Sequence, residues 1–262
     1  MNRFLVKPFA LTVAFLVLSP FFSQAQDSSD EPELTEAERA QKVEETVALA
    51  RKYLGGAAKL DAIKTIHSQG VLVYGNGASG TVESVFKSPN YHQFVSVING
   101  SKETTSLNRT EAWIKVESLS SPNTYSLDFY GVDDVRHLEA TVIDSLSFLK
   151  IPPTRNGRIE YLGTGEVKGE QAIVLQYIHS DRIWFRRFID PETGRVMHMV
   201  NDKGVVFSYE GELEVDGVVF PKTTIVRSVT QFGEQTMEIS YSSIKINESI
   251  DTERFRVPTT YE

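Results

Sequence analysis

The chain is expected to fold as a mainly β protein of the α+β class. The expected architecture is a strongly curved antiparallel sheet of about 11–12 strands, an incomplete, half-open barrel with helices covering its concave face. Three observations carry this. Apolar and polar residues alternate over most of 66–246, the period of strands with one buried face. Turn signals break that alternation at short intervals, which makes sequence neighbours antiparallel neighbours in space. Two segments alone, near 35–63 and 133–149, carry helical spacing, and their apolar stripes need the hollow of a curled sheet to be buried.

The first element reads as an export signal over 1–25. Arg3 and Lys7 supply its positive start, Phe9 to Leu18 an apolar run, Pro20 a break, and Ser23-Gln24-Ala25 a small-residue cleavage site after Ala25. The apolar run is too short for a membrane span, which needs about 20 residues. Residues 26–34 contain Asp-Ser-Ser-Asp-Glu-Pro-Glu, too polar to bury, and read as a disordered acidic leader. A single domain over 35–262 follows.

Thr35 and Glu38 form a capping box, and Val43, Val47, Ala50 and Leu54 share one stripe of the helix that Gly55-Gly56 ends. A short helical turn over 57–63 places Leu60 and Ile63 together. Strands are expected at 66–74, 81–87, 91–98, 102–107 and 111–117, with Asn99-Gly100 the strongest hairpin signal because it tolerates positive φ at both positions. Asp133 or Asp134 then caps a helix to about Leu149, with Val135, Leu138, Val142, Leu146 and Leu149 on one face, and Pro152-Pro153 stops it. Strands resume at 158–167, 171–178, 182–189, 195–200, 205–215, 218–228 and 235–246, joined by turns such as Lys168-Gly169 and Asp216-Gly217.

Composition narrows the function classes. The chain has no cysteine, so a disulfide framework and a lipid-bearing cleavage-site cysteine are both absent from the reading; the product is expected in the periplasm or secreted, and not as a lipoprotein. A net charge of -8 argues against nucleic acid as a partner. The one basic cluster, Arg182, Arg186 and Arg187, reads as the solvated side of a strand. Gly75-Asn76-Gly77-Ala78-Ser79-Gly80 matches a dinucleotide fingerprint, but a strand follows it where that motif requires a helix, so it reads as a hairpin loop. The five histidines are scattered without ligand spacing, so neither metal nor cofactor is expected. No local catalytic signature is present, including the G-x-S-x-G elbow, and no covalent catalysis is expected. Sequons at Asn99, Asn108 and Asn247 carry little weight.

Aromatic residues occur on nearly every strand. Many of them make the core. A single curled sheet with two modest helices leaves its interior part-filled, which points to an apolar cavity for a ligand of acyl-chain type. The residues expected to line it are Phe86, Phe94, Trp113, Phe129, Val142, Leu146, Trp184, Phe188 and Phe207.

Several stretches, in this order, resemble the periplasmic lipoprotein-carrier (LolA-like) family and the related outer-membrane lipoprotein-sorting proteins. They are Tyr53-Leu54-Gly55-Gly56, Gly70-Val71-Leu72-Val73, Gly165 to Ala172, Asp190-Pro191-Glu192-Thr193-Gly194, Gly217 to Lys222, and the closing Asn247, Asp251, Phe255 and Pro258. The resemblance implies a half-barrel with helices in its mouth that binds acyl chains of lipid or lipoprotein between sheet and helices. A soluble exported monomer whose contact with the membrane surface is transient is expected. The same fold also serves the alternative reading, an envelope sensor or interaction module that binds a regulatory protein.

Overall fold

The computed structural model describes residues 34–152, 156–231 and 233–258; the expected signal, and the leader up to residue 33, lie outside the described residues. Helix α1 spans Glu36–Tyr53 and opens with the expected capping box. Thr35 Oγ1 accepts from the Glu38 amide at 3.3 Å, and the Thr35 amide donates to Glu38 Oε2 at 2.8 Å. Gly55 follows with φ 127°, and a Cβ there would lie 2.3 Å from the Gly217 carbonyl oxygen, so glycine lets the end of the helix touch the sheet. The short α2, Ala57–Asp61, completes this region.

The strands are β1 Thr65–Tyr74, β2 Ser79–Lys87, β3 Tyr91–Ile98, β4 Ser101–Asn108, β5 Glu111–Ser118 and β6 Ser121–Phe129. After α3, Val132–Ser147, come β7 Arg158–Val167, β8 Glu170–Ser180, β9 Ile183–Ile189, β10 Val196–Asn201, β11 Val206–Val215, β12 Val218–Thr230 and β13 Gly233–Ile246. All 13 lie in one sheet, in the order β6-β5-β4-β3-β2-β1-β13-β12-β11-β10-β9-β8-β7. The chain therefore starts in the middle of the sheet, meanders out to β6, crosses through α3 to the opposite edge, and meanders back until β13 pairs with β1. β6 and β7 do not pair, so the curved sheet stays an open half-barrel.

Hairpin chemistry follows the sequence reading. Asn99-Gly100, Lys168-Gly169 and Asp216-Gly217 all have positive φ at both positions, as type I′ turns require. Three expectations need correction. No strand is expected between 117 and 133, yet β6 lies there and brings the count to 13. Its Ser-Pro-Asn-Thr start reads as a turn, but an edge strand has one partner only and tolerates proline. The aspartates do not cap α3: Gly131 is the N-cap without a side-chain bond, and Asp133 and Asp134 sit in the first turn, where carboxylates offset the helix dipole. The helix also ends at Ser147, before the prolines, because Phe148 and Leu149 take φ of 45° and 68°.

Register divides the side chains between two faces. Ile66, Phe86, His92, Leu107 and Ala112 form one cross-strand row. Val142 of α3 is buried with Leu107 and Ala112, and Phe86, Val135, Leu138 and Leu146 pack around them. In the other half Leu175, Tyr177, Phe185 and Ile189 are buried with Ala50 of α1 and Ala140 of α3. The concave face is thus covered by both long helices, with α3 bridging the two halves.

The convex face carries the C-terminal segment. A 3₁₀ turn, Thr252–Phe255, inserts the fully buried Phe255 beside Val85, Tyr91 and Ile250. The Phe255 carbonyl accepts from Trp113 Nε1 at 3.0 Å and Ser106 Oγ at 3.2 Å. Nearby, His67 lies 2.8 Å from Glu83 and 2.7 Å from Glu248, and Arg254 Nη2 donates to Glu83 at 3.1 Å. Burial pushes the Glu83 carboxyl up, but Arg254 and His67 outweigh it and hold it below its ordinary 4.5. Hydrogen bonds from His67 and Lys245 lower Glu248 as well.

Depressed carboxyl pKa values contribute stability that is complete above the unfolded value and lost as pH falls through the folded one. Acidification below about pH 4.5 is therefore expected to loosen this segment first. In a Trp184→Phe protein the emission of Trp113 should shift to the red before global unfolding. A spectrum constant down to the global transition would show that apolar burial alone holds the segment.

Candidate functional site

Helices α1 and α3 and strands β9 to β12 enclose a cavity of about 510 Å³. Its apolar wall comes from Leu54 at the end of α1, Phe148 and Leu149 after α3, and Val196, Val219, Phe220 and Pro221 on the sheet. The placement is set locally: the Val219 amide donates to the Leu54 carbonyl at 3.0 Å, pinning the end of α1 across β12. Tyr53, Arg195 and Glu212 stand among the same lining residues, and the Tyr53 hydroxyl donates to Glu212 Oε1 at 2.6 Å. Burial, with Glu212 beside it, raises the Tyr53 pKa.

A charged pair is set into the same wall. Asp144 of α3 and Arg187 of β9 both line the cavity, are 13% and 7% exposed, and are bonded through Asp144 Oδ2 and Arg187 Nη2. Burial pushes the Asp144 carboxyl up, but the Arg187 charge overrides it and the net direction is down. Arg187 also lies over the Tyr177 ring at 4.3 Å. Among the described residues the Tyr209 hydroxyl, in the same wall, reaches only Met199 Sδ at 3.9 Å, and burial raises its pKa.

A second groove, of about 700 Å³, runs along α1 between Val43, Val47 and Ala48 and the residues Leu149, Ile151 and Ile159. Its one buried cation, Arg51, donates through Nη1 and Nη2 to the carbonyls of Ser147, Phe148 and Ala57 and to Asp61, while its Nε has no partner among the described residues. The inner cavity, which lies between the sheet and both long helices, is the better candidate. Among the described residues no cluster of three or more His, Asp or Glu side chains is arranged to hold a metal.

The nine side chains expected at the cavity do not meet there. Phe86, Phe94 and Phe207 point to the concave side, where Val142 and Leu146 of α3 pack, but they contribute to core clusters and not to the cavity wall. Trp113 and Phe129 pair across β5 and β6 on the convex face, where Trp113 is buried under the C-terminal segment and Phe129 is 59% exposed. Trp184 and Phe188 alternate with Phe185 and Ile189 of the concave core and so lie on the convex side. Phe188 packs there against Val167, Ala172 and Met197.

The residue that the sequence reading misplaced is Arg187. It was expected on the solvated side of a strand with Arg182 and Arg186, and it is buried. The signal was present: Ile183, Phe185, Arg187 and Ile189 share one parity along β9 and all four are buried. An arginine in the apolar register needs a partner, and Asp144 supplies it.

No family model matches the chain, and no curated protein matches it in sequence. Solved structures match it by shape. A DUF1329 family protein from Desulfovibrio piger has a TM-score of 0.50 and 11% identity, over 82% of this chain and 97% of that one. A domain from Vibrio parahaemolyticus, described in terms of outer membrane lipoprotein sorting, has 0.48 and 10%, over 81% and 97%. A LolA superfamily protein from Nitrosomonas europaea has 0.47 and 13%, over 79% and 97%. The likeness to the first of these is one of fold.

Proposed function

We propose that this chain is an exported binding protein of the bacterial envelope that carries acyl chains of lipid or lipoprotein, without covalent catalysis. The observation that carries the reading is the cavity of about 510 Å³ between the sheet and the two long helices, where an apolar stretch from Leu54, Phe148, Leu149, Val219 and Phe220 stands beside charged side chains. Each methylene moved from water into such a wall contributes about 0.8 kcal/mol. A dodecyl tail then outweighs the ordering cost of binding even when part of it stays exposed. Among the described residues no helix is long and apolar enough to cross a membrane, which fits transient contact with a membrane surface.

Native mass spectrometry of protein purified from its own host tests this. Co-purified lipid is the expected result, and a fluorescent fatty-acid analogue should bind and raise the melting temperature. At a hundredfold excess over Kd, mass action adds about 2.7 kcal/mol of stability. Tryptophan emission is a poor probe, because both tryptophans lie on the convex side. An empty protein that no acyl ligand stabilises, found with a tightly bound protein, would favour the alternative of an interaction module for a regulatory partner.

A further inference from the structure

Arg187 is a buried cation whose surroundings leave it half used. Nη2 is bonded to Asp144, yet Nη1 is buried without a hydrogen-bond partner among the described residues. Native structures seldom leave such a donor unpaired. Tyr209 stands in the same cavity wall with only a thioether sulfur at 3.9 Å, a weak acceptor. His179 Nε2 is 3.8 Å from Asp144 Oδ1, beyond hydrogen-bond reach. Among the described residues two donors therefore lack a strong acceptor, beside a cavity wall that also holds Tyr53, Ser145, Arg195 and Glu212.

Resting on the acyl-binding reading above, we infer that Arg187 Nη1 and the Tyr209 hydroxyl form a polar subsite for the carbonyl of an acyl ester or amide, and that it discriminates against free fatty acids. The reason is charge. Asp144 already neutralises Arg187, so a neutral carbonyl accepts both hydrogen bonds without electrostatic penalty. A free carboxylate would enter beside the Asp144 carboxylate, and two like charges sharing one buried site repel. The subsite thus separates acylated lipids and lipoproteins from free fatty acids of the same chain length.

Competition between a fluorescent acyl analogue and either monododecanoyl glycerol or dodecanoate tests this. The glycerol ester is expected to bind the natural chain about tenfold or more tightly than dodecanoate. Asp144→Asn keeps an acceptor for Arg187 but removes the negative charge, and should invert or abolish that preference. Tyr209→Phe leaves the ion pair intact and should weaken the ester by about three- to tenfold, with a smaller change for dodecanoate. Should Asp144→Asn lose its fold by circular dichroism, the ratio in Tyr209→Phe decides. Equal affinities in the natural chain, or a ratio that neither variant moves, would overturn the subsite and leave the acyl reading standing. Failure of both ligands to bind the natural chain would overturn both.

Discussion

Val142→Asp is expected to cost about 4 kcal/mol or more, because an unpaired carboxylate then stands where nothing can solvate it or pair with it. Val142 is fully buried. Its neighbours are Leu107 and Ala112, with Phe86, Tyr130, Val135, Leu138 and Leu146 packed around them. In a protein of this size each kcal/mol lowers the melting temperature by about 2–4 °C, so a fall of about 10 °C or more is expected. Val142→Ala removes only methyl groups and should cost about 1–3 kcal/mol. The contrast between the two is the test in thermal denaturation. An aspartate variant as stable as the alanine variant would mean that α3 does not pack against the concave face.

Arg51→Ala is expected to be nearly as damaging, at about 3–4 kcal/mol, although Arg51 lies outside the inner cavity. The side chain is 5% exposed and joins all three helices. It rises from α1, donates to the Ala57 carbonyl and Asp61 at α2, and caps α3 through the carbonyls of Ser147 and Phe148. Those last two carbonyls lie at the negative end of the helix dipole, where a cation is favoured. Phe148 and Leu149, at positive φ, depend on this anchor to hold a backbone shape that non-glycine residues resist.

The ion pair with Asp61 is a small part of the effect. Asp61 is 49% exposed, so Asp61→Ala should cost no more than about 1 kcal/mol. Hydrogen exchange in the last turn of α3 separates the cases. Arg51→Ala should release protection there and Asp61→Ala should not. Equal, small losses in both variants would show that the cap contributes little.

Local chemistry was legible from residues alone. Thr35 with Glu38, Asn99-Gly100 and Asp216-Gly217 each act through atoms a few residues apart, so the capping box and the hairpins appear where the sequence places them. The stripe Val135, Leu138, Val142 and Leu146 was legible too, because helical spacing puts those side chains on one side whatever they later touch. β6 was harder. Its opening residues favour a turn, and it is a strand because β5 offers an edge to pair with.

The candidate site was the least legible part. Alternation along a strand sorts its residues into two sets, but both faces of this sheet bury aromatics: one lies under α1 and α3, the other under the C-terminal turn. Nothing in the spacing of Trp113 or Trp184 tells which face is which, and the two tryptophans lie on the side away from the helices. Arg187 and Asp144 stand 43 residues apart in the chain and meet only because α3 crosses from one edge of the sheet to the other. Periodicity and turn chemistry are short-range effects, so they settle the elements and their antiparallel order. The facing of the sheet, the open edge at β6 and β7, and the burial of a charge beside its partner arise from long-range packing, where the free energy belongs to the assembled pair and to neither residue alone.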